Sequence, residues 1–411
     1  MPEAEKNIHE DKDSNPRSIP SSSTDLGCMT QWQMIRLGFS RHKLAVCALF
    51  VLVTLYTMAL FADFVAPYPP SQKFLDHLYA PPSRVEFSFP EGFHTHPLEL
   101  RRDPVTLSST YMIDHATSIK LQFLPQSPPY KLWGILPLNR HLFGVTSHQG
   151  AISGENKFHA QEKIFSTFAS STSLPFASSP FFLIGADKYG RDLFSRIVHG
   201  ARISLSIGLF SISISFLLGV GIGGMSGYFG GLFDLLSQRL IEILQAIPQL
   251  PLWIALGAVL PADWPPLWTY WGITVVLSLI GWTGLARTVR SKLLSLREED
   301  YAVAARLLGA SHSRIIFRHL VPGFTSHIIV TLTLAIPGMI LGETALSFLG
   351  LGLRPPLVSW GVMLQDCLNL DILCRHPWLI VPTAFVILTV LSFNFVGDGL
   401  RDAADPYHAG K

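Results

Sequence analysis

Blocks of about twenty apolar residues recur along this chain, and this repetition limits its possible folds more than any other feature. A helix of about twenty apolar residues is long enough to cross the hydrocarbon core of a bilayer. Hydrophobic residues make up 48% of the 411 residues and charged residues only 15%, which is unlike a soluble domain. We therefore predict an all-α integral membrane protein with six transmembrane helices. The predicted spans are residues 44–64, 203–224, 240–260, 267–285, 324–346 and 378–396.

Basic residues predict the orientation of these spans. Arg36, Arg41 and Lys43 precede the first span, and the positive-inside rule then places the N-terminus in the cytoplasm. Alternation across six spans places the stretch between the fourth and fifth spans on the same side, together with the C-terminus. The basic residues of that stretch agree with this placement; they are Arg287, Arg290, Lys292, Arg297, Arg306, Arg314 and Arg318.

The segments outside the spans differ in character. We predict a largely disordered cytoplasmic tail over residues 1–43, an extracytoplasmic insert over 65–184, a core membrane domain over 185–399 and a cytoplasmic tail over 400–411. The insert is rich in Pro, Ser and His, and its alternating pattern and aromatic residues favour short strands and turns. Its histidines are scattered without ligand spacing, so solvated loop residues are favoured over a metal site.

The stretch 295–322 is a charged, helix-forming loop between two apolar blocks. Ser295 followed by Glu298 forms a capping-box pattern at a helix start, and Gly309 is a natural stop for that helix. A second short helix follows, which Pro322 is expected to end. The pattern predicts helix, glycine turn and helix, and periodicity alone leaves an ordinary amphipathic connector and a docking helix equally open.

Two aspartates precede the second span and form a candidate extracytoplasmic motif. Asp187 and Asp192 flank Gly190 and Arg191, and a turn with a short amphipathic helix at the outer interface is predicted there. The carboxylates are candidate catalytic groups, but helix caps and salt partners of nearby arginines explain them more simply. The candidate partners are Arg191, Arg196 and Arg202.

Cys367 and Cys374 are two of only four cysteines in the chain. The predicted topology places both on the oxidising side of the membrane, where a disulfide is able to form and persist. A disulfide that clamps this loop is therefore a candidate, and two free thiols are the alternative.

Several classes of function are disfavoured by missing patterns. The chain contains neither HExxH nor GxSxG, and it lacks the GxxxxGK[ST] phosphate loop, so no catalytic residue and no ATP hydrolysis by this chain are predicted. No basic stripe with interleaved aromatic residues indicates nucleic acid. A proton-coupled carrier should carry ionisable residues in the middle of its spans, whereas the few here lie near the ends.

Four stretches together resemble one family. YAVAARLLGA, followed by RHLVP, is similar to the EAA cytoplasmic loop of permease subunits in binding-protein-dependent ABC importers. IGADKYGRDLFSR, ETALSFLGLGLRPPLVSWGVML and NFVGDGLRDAADP match in the family's order. The chain thus resembles the second permease subunit of dipeptide and oligopeptide importers, over the first span and most of residues 185–407.

This resemblance implies the type I ABC importer fold and a multi-pass protein of a bacterial inner membrane. It implies a pore made with a second homologous permease subunit, powered by two cytoplasmic ATPase subunits and fed by an extracytoplasmic solute-binding protein. ATP would be used by the partner subunits, and this chain would bind no cofactor. Peptides would be carried by alternating access.

The resemblance also implies roles for residues of the loop, which would dock in a groove of an ATPase subunit. Ala304, Ala305 and Gly309 would be its close-packing positions, with Asp300 and Arg314 as flanking polar contacts. Ala310 and Pro322 complete the predicted coupling segment.

The chain departs from the family pattern at three points. Val303 precedes the two alanines where the family-wide loop has glutamate, and the loop ends in His319-Leu320-Val321-Pro322 rather than Ile-x-Leu-Pro. The external region over residues 81–180 is longer than in most such subunits. The alternatives left open are a non-peptide cargo (nickel, an opine, a sugar or glutathione) and a passive or proton-coupled carrier.

Overall fold

A computed structural model describes residues 31–89, 92–102, 109–145 and 180–404. Most of the predicted N-terminal tail (residues 1–30), the residues 146–179 of the insert and the C-terminal residues 405–411 lie outside the described residues. Within the described ranges, helices occupy both ends of the chain and strands occupy the insert.

Thirteen α-helices are found among the described residues. The first three precede the insert, and the other ten follow it. They are α1 (Gln31–Arg41), α2 (Lys43–Leu60), α3 (Ala62–Val65), α4 (Leu193–Phe229), α5 (Gly231–Ala246), α6 (Gln249–Val259), α7 (Pro266–Leu296), α8 (Asp300–Leu307), α9 (His312–Arg314), α10 (Thr325–Phe348), α11 (Trp360–Leu364), α12 (Leu370–Arg375) and α13 (Val381–Ala404).

Five stretches of the described chain are helical, long and apolar enough to cross a membrane: Lys43–Leu60, Leu193–Phe229, Pro266–Leu296, His312–Phe348 and Pro377–Ala404. The helices α5 and α6 make a sixth when they are taken together, but they meet at 91°. The break falls at Ile247 and Pro248, inside the predicted span 240–260. Because proline lacks an amide hydrogen and clashes with the preceding turn, it ends α5 rather than bending it gently.

The helix α4 differs from the prediction of an interfacial helix followed by a separate span. It runs without interruption for 37 residues, so the predicted amphipathic helix is its first part. Leu193, Ile197 and Val198 are almost completely buried beneath the segments that cover this end of the bundle. An established helix propagates easily through residues of good propensity. Because these apolar residues are packed inside the protein, the helix continues into the membrane span without a break.

The helix α1 occupies the last part of the predicted N-terminal tail, whereas the prediction of disorder for residues 1–30 lies outside the described residues. Gly38 of α1 lies so close to α13 that a β-carbon there would be 3.1 Å from Ala403. Gly399 of α13 gives a similar close approach to Ala45 and Phe39. Packing against α13 therefore orders α1, which lies in the part of the tail nearest to the first span.

Glycines also bring α4 and α7 into close contact along the bundle. A β-carbon at Gly223 would lie 2.4 Å from the carbonyl oxygen of Ala286, and one at Gly227 would lie 2.8 Å from that of Arg290. Small residues at helix interfaces let backbones approach closely inside a membrane. The pair α4 and α7 is therefore a tightly packed unit that ends near α8.

The insert contains short antiparallel strands, as its sequence pattern predicted. One sheet has the order β1-β2-β5-β8, and the pairs β3-β4 and β6-β7 are separate hairpins. The strands are β1 (Val85–Ser88), β2 (Gly92–Thr95), β3 (Leu98–Arg102), β4 (Ser109–Ile113), β5 (Ile119–Phe123), β6 (Gln126–Leu132), β7 (Leu136–Arg140) and β8 (Phe143–Val145).

Hydrogen bonds fasten the insert to the ends of α2 and α3. The indole nitrogen of Trp133 donates to the carbonyl of Leu60 at 2.7 Å, and the amide of Leu142 donates to the carbonyl of Phe64 at 2.8 Å. These bonds satisfy carbonyls that a helix end leaves free. We call this end of the bundle the insert end and the opposite one the α8 end.

Candidate functional site

The segment between α7 and α10 does not begin with the predicted capping box. Ser295 lies in the last turn of α7, and α8 begins at Asp300 with Glu299 at its N-cap position. Leu293 of α7 is completely buried, so α7 stays packed through the residues where a new helix was predicted to start. Tertiary packing outweighs the local capping signal here.

The segment continues beyond α8 differently from the prediction. Gly309 adopts a φ of +79° and follows the end of α8, as predicted for a glycine stop. Pro322, however, does not end the second helix of the segment as predicted. A π-helical turn at Ile315–Leu320 and a 3₁₀ turn at Val321–Phe324 join α9 to α10 in one helical run. These irregular turns change the hydrogen-bond register, which allows the helical path to pass a proline that donates no amide.

One side of α8 presents apolar residues to the surroundings. Leu307 is 83% exposed and Leu308 87% exposed, and Val303 is also exposed. Ala304 and Gly309 lie on the exposed surface as well, and Ala305 is half-buried. Adjacent leucines this exposed on a polar segment are typical of an interaction surface.

The opposite side of α8 and the turn that follows it are held by apolar contacts. Ala302, Ile315 and Leu320 are buried in one cluster with Val289 and Leu293 of α7. The segment is therefore seated on the α7 helix while its other side remains open.

Tyr228, near the end of α4, joins that helix to both α8 and α9. Its hydroxyl is hydrogen-bonded to Nδ1 of His312 at 2.9 Å. The guanidinium of Arg306, in α8, lies 5.7 Å from the centre of the Tyr228 ring, within the range of a cation–π contact. A single tyrosine thus contacts polar groups on either side of Gly309.

An ion pair fixes the start of α5 to α7 beside this tyrosine. Arg290 donates from two nitrogens to the two carboxylate oxygens of Asp234, the bidentate geometry that makes arginine–carboxylate pairs strong and directional. The guanidinium of Arg297 also donates to the carbonyl of Gly227 at 3.3 Å. The ends of α4, α5 and α7 are consequently tied together under α8.

The other predicted coupling residues lie along the same segment. Asp300 is the first residue of α8, where the helix dipole favours a carboxylate. Ala310 is half-buried, and its amide donates to the carbonyl of Ala305 at 3.1 Å. Arg314 is exposed at the end of α9. Their predicted contacts with an ATPase subunit remain predictions.

At the insert end, Asp187 is the centre of the predicted extracytoplasmic motif. It is 1% exposed and accepts hydrogen bonds from the amides of Tyr189 and Arg191 at 2.9 and 3.0 Å. The guanidinium of Arg191 lies 2.7 Å from it, and Arg196 of α4 also pairs with it. The carboxylate therefore organises a turn and fixes that turn to α4.

The remaining residues of this motif have structural contacts as well. A β-carbon at Gly190, whose φ is +68°, would lie 2.0 Å from the carbonyl oxygen of Phe74, so only glycine fits. Asp192 caps α4 by accepting from the amide of Ser195 at 2.8 Å, and burial raises the pKa of Asp192 to about 6. The predicted third partner, Arg202, pairs instead with Asp63.

Sequence reasoning did not identify the polar group around Glu343. This glutamate of α10 is completely buried and accepts hydrogen bonds from the hydroxyls of Ser204 at 3.1 Å and Ser347 at 2.8 Å. The Ser204 oxygen also accepts from the amide of Trp360 at 3.1 Å. A lone acid in an apolar block is a signal for such a site, but its partner Ser204 is 139 positions away in the chain.

The two candidate disulfide partners are free thiols in this structure. The Cys367 thiol donates to the carbonyl of Leu379 at 3.4 Å, while Cys374 is exposed on α12. The side chain of Cys367 is thus engaged with the start of the last span, and the candidate disulfide is not formed.

Two family models match this chain. Residues 219–407 match the binding-protein-dependent transport system inner membrane component, and residues 30–82 match the N-terminal TM domain of oligopeptide transport permease C. The first range contains α8 and its contacts with the end of α4. Residues 83–218, which include the strands of the insert, lie outside both ranges.

Individual proteins are similar over about half of the chain. The oligopeptide transport system permease protein OppC of Bacillus subtilis (strain 168) is 44% identical over 223 residues, which cover 54% of this chain and 70% of that protein. The dipeptide transport system permease protein DppC of the same strain is 44% identical over 223 residues, covering 54% and 68%. Among solved structures, the inward-facing MetNI methionine ABC transporter matches with a TM-score of 0.40 and 16% identity, over 52% of this chain and 98% of that chain.

Proposed function

The chain belongs to the family of binding-protein-dependent transport system inner membrane components, and from this membership we propose that it forms half of an ATP-driven peptide-importing pore. Proteins of this family are permease subunits, and separate subunits hydrolyse ATP. The chain is accordingly a multi-pass membrane protein and not an enzyme. What we propose beyond that is how its contacts couple transport to a partner's ATP hydrolysis.

The exposed side of α8 is the observation that supports coupling most directly. Leu307 and Leu308 project from a segment whose opposite side is buried against α7. When a partner covers exposed leucines, the complex is stabilised by about 25 cal/mol per Å² of apolar surface buried. We assign this surface to a groove in an ATPase subunit, with Ala304 and Gly309 as the positions of closest approach.

The contacts beneath α8 offer a route for transmitting movement. Displacement of α8 and α9 pulls on Tyr228 of α4, through Arg306 of α8 and His312 of α9. The Asp234–Arg290 pair fastens α5 and α7 to the same end of the bundle. Closure of the ATPase subunits would therefore move several spans together, as a two-state pore requires.

Peptides are the proposed cargo, since the two relatives described above are named as oligopeptide and dipeptide transport permeases. The proposed assembly contains a second permease subunit, two ATPase subunits and a solute-binding protein. The partner subunits would use ATP, and this chain would need no cofactor. Both termini and α8 would lie in the cytoplasm and the insert outside it, in agreement with the basic residues around α8.

A double variant tests the coupling surface. Leu307→Asp with Leu308→Asp should abolish peptide uptake and copurification of the ATPase subunits, because charged side chains cannot be covered by an apolar groove without cost. Membrane insertion should be unchanged. Leu75→Asp is the matched control, since Leu75 is 71% exposed near the insert end. Normal uptake in the double variant would overturn the assignment of α8.

The cargo is tested separately in the assembled transporter. Labelled dipeptides and longer peptides, each presented with the solute-binding protein, should be taken up in an ATP-dependent manner by reconstituted vesicles. Uptake of a non-peptide solute, with no uptake of any peptide, would contradict the proposed peptide cargo. It would not contradict the proposed docking of α8 on an ATPase subunit.

A further inference from the structure

Two strands of the insert bring a carboxylate and two imidazoles together. Glu86 of β1 lies opposite His94 of β2 in the antiparallel register, so their side chains share one face of the sheet. His96 follows His94 by two positions, and successive residues of an extended chain alternate between faces. Each of the three residues has a ligand atom within 4.8 Å of those of the other two, the one such group of three found among the described residues.

Hydrogen bonds prepare both histidines for coordination. Nδ1 of His94 lies 3.1 Å from the carbonyl oxygen of Gly92, and Nδ1 of His96 lies 2.8 Å from that of Thr117. A carbonyl oxygen only accepts, so each Nδ1 carries the proton and each neutral ring keeps a free electron pair on Nε2. Metal-binding histidines are held in this way, with the second nitrogen donating to a backbone carbonyl.

The distances in the cluster are close to those of a metal site. Nε2 of His96 lies 3.7 Å from Oε2 of Glu86, too far for a hydrogen bond. Ligand atoms about 2.0–2.2 Å from a tetrahedral zinc ion are about 3.4 Å apart. His94 is buried, whereas Glu86 is exposed, so the glutamate is free to make the small adjustment that this difference requires.

We propose that Glu86, His94 and His96 form a binding site for a divalent transition-metal ion, with Zn²⁺ as the natural probe. Imidazole nitrogens with a carboxylate oxygen suit zinc, and three protein ligands leave a fourth coordination position open. Glu86 and His96 also line a cavity of about 440 Å³ together with Tyr111. The open position therefore has room for water or for an additional donor group.

Two further residues, His115 and Lys120, lie next to the proposed site. The ring of His115 lies 5.0 Å from that of His96, near enough to supply a fourth ligand after a side-chain rotation. Lys120 of β5 lies opposite His94 in the antiparallel register, so its side chain is on the same face of the sheet as the cluster, and it is exposed. A bound ion would join β1 and β2 to the chain around Thr117, and the insert would be more rigid with the metal than without it.

The experiment uses the full-length protein in detergent, purified with a tag that contains no histidine and stripped with a chelator. Isothermal titration and elemental analysis should show about one Zn²⁺ per chain. His94→Ala, His96→Ala and Glu86→Gln should each weaken this binding more than about tenfold, because each removes a ligand. Zinc should also protect the insert of the wild-type protein from proteolysis.

Matched controls separate this site from other histidines and acids. His319→Ala and Glu99→Gln change exposed residues outside the cluster and should bind zinc as the wild type does. Circular dichroism and gel filtration should show that all five variants are folded. The proposal is overturned if the folded wild type binds no stoichiometric zinc, or if the three ligand variants bind it as tightly as the controls.

Discussion

The hydroxyl of Tyr228 and Nδ1 of His312 are 2.9 Å apart, and this hydrogen bond joins the end of α4 to the start of α9. The two residues are separated by 84 positions in the chain. Arg306 approaches the same tyrosine ring from α8. The relationship makes Tyr228 the point where the exposed segment meets the longest helix among the described residues.

Tyr228→Phe should impair the transmission of movement without disturbing the docking surface. The change removes the hydroxyl and keeps the ring, so about 0.5–1.5 kcal/mol of hydrogen-bond stabilisation is lost. ATPase copurification should persist while transport per ATP hydrolysed falls, as measured in reconstituted vesicles. Tyr301→Phe, an exposed tyrosine of α8, is the control. Equal transport efficiency in the two variants would contradict this role.

Gly223→Ala should destabilise the packing of α4 on α7. Its β-carbon would lie 2.4 Å from the carbonyl oxygen of Ala286, and relieving that overlap costs about 1–3 kcal/mol. The thermal unfolding temperature in detergent should therefore fall.

Two other glycines of the same helices serve as controls for Gly223. A β-carbon at Gly221 of α4 or Gly284 of α7 meets nothing within 4 Å. Alanine at either position should leave the unfolding temperature unchanged or raise it slightly, since alanine has the better helix propensity. A drop in all three variants would indicate that helix contacts are not the cause.

The insert should loosen as the pH falls below about 6.5. Burial lowers the pKa of His141 from 6.5, so the folded insert binds this proton more weakly than the unfolded chain does. His141 therefore costs the folded insert no stability above pH 6.5, the pKa of histidine in the unfolded chain. As the pH falls below that value, the unfolded chain takes up a proton that the folded insert does not, and the free energy of unfolding decreases. The ring stacks on Tyr130 at 4.5 Å, and Nδ1 is hydrogen-bonded to the carbonyl of Asp63.

Hydrogen exchange of the β6–β7 hairpin at pH 7.5 and pH 5.5 measures this effect. Exchange corrected for its intrinsic pH dependence should be faster at the lower pH in the wild type. His141→Gln should have a smaller dependence, because glutamine does not titrate. An unchanged dependence in that variant would assign the effect to another group.

Cys374 should react with maleimide faster than Cys367 in the purified protein. Cys374 is exposed, whereas burial raises the pKa of the Cys367 thiol, and the thiolate is the reactive form. Peptide mapping by mass spectrometry after timed labelling distinguishes the two. Resistance of both thiols until a reductant is added would instead indicate the disulfide that the sequence suggested.

Local sequence was sufficient to predict features that depend on short stretches of chain. Apolar length alone indicated the membrane helices, because the bilayer sets a minimum span. Gly309 was predicted to stop α8 because glycine adopts positive φ without strain. The alternating pattern of the insert likewise predicted its strands.

Tertiary contacts decided the features that the sequence left open or predicted wrongly. Ser295 belongs to α7 because Leu293 stays buried beyond the capping signal. Glu343 is satisfied by Ser204 from another helix, and Glu86 faces His94 only because of strand register. Each of these relationships joins residues whose proximity depends on packing or pairing of whole elements, which local propensity and spacing do not encode.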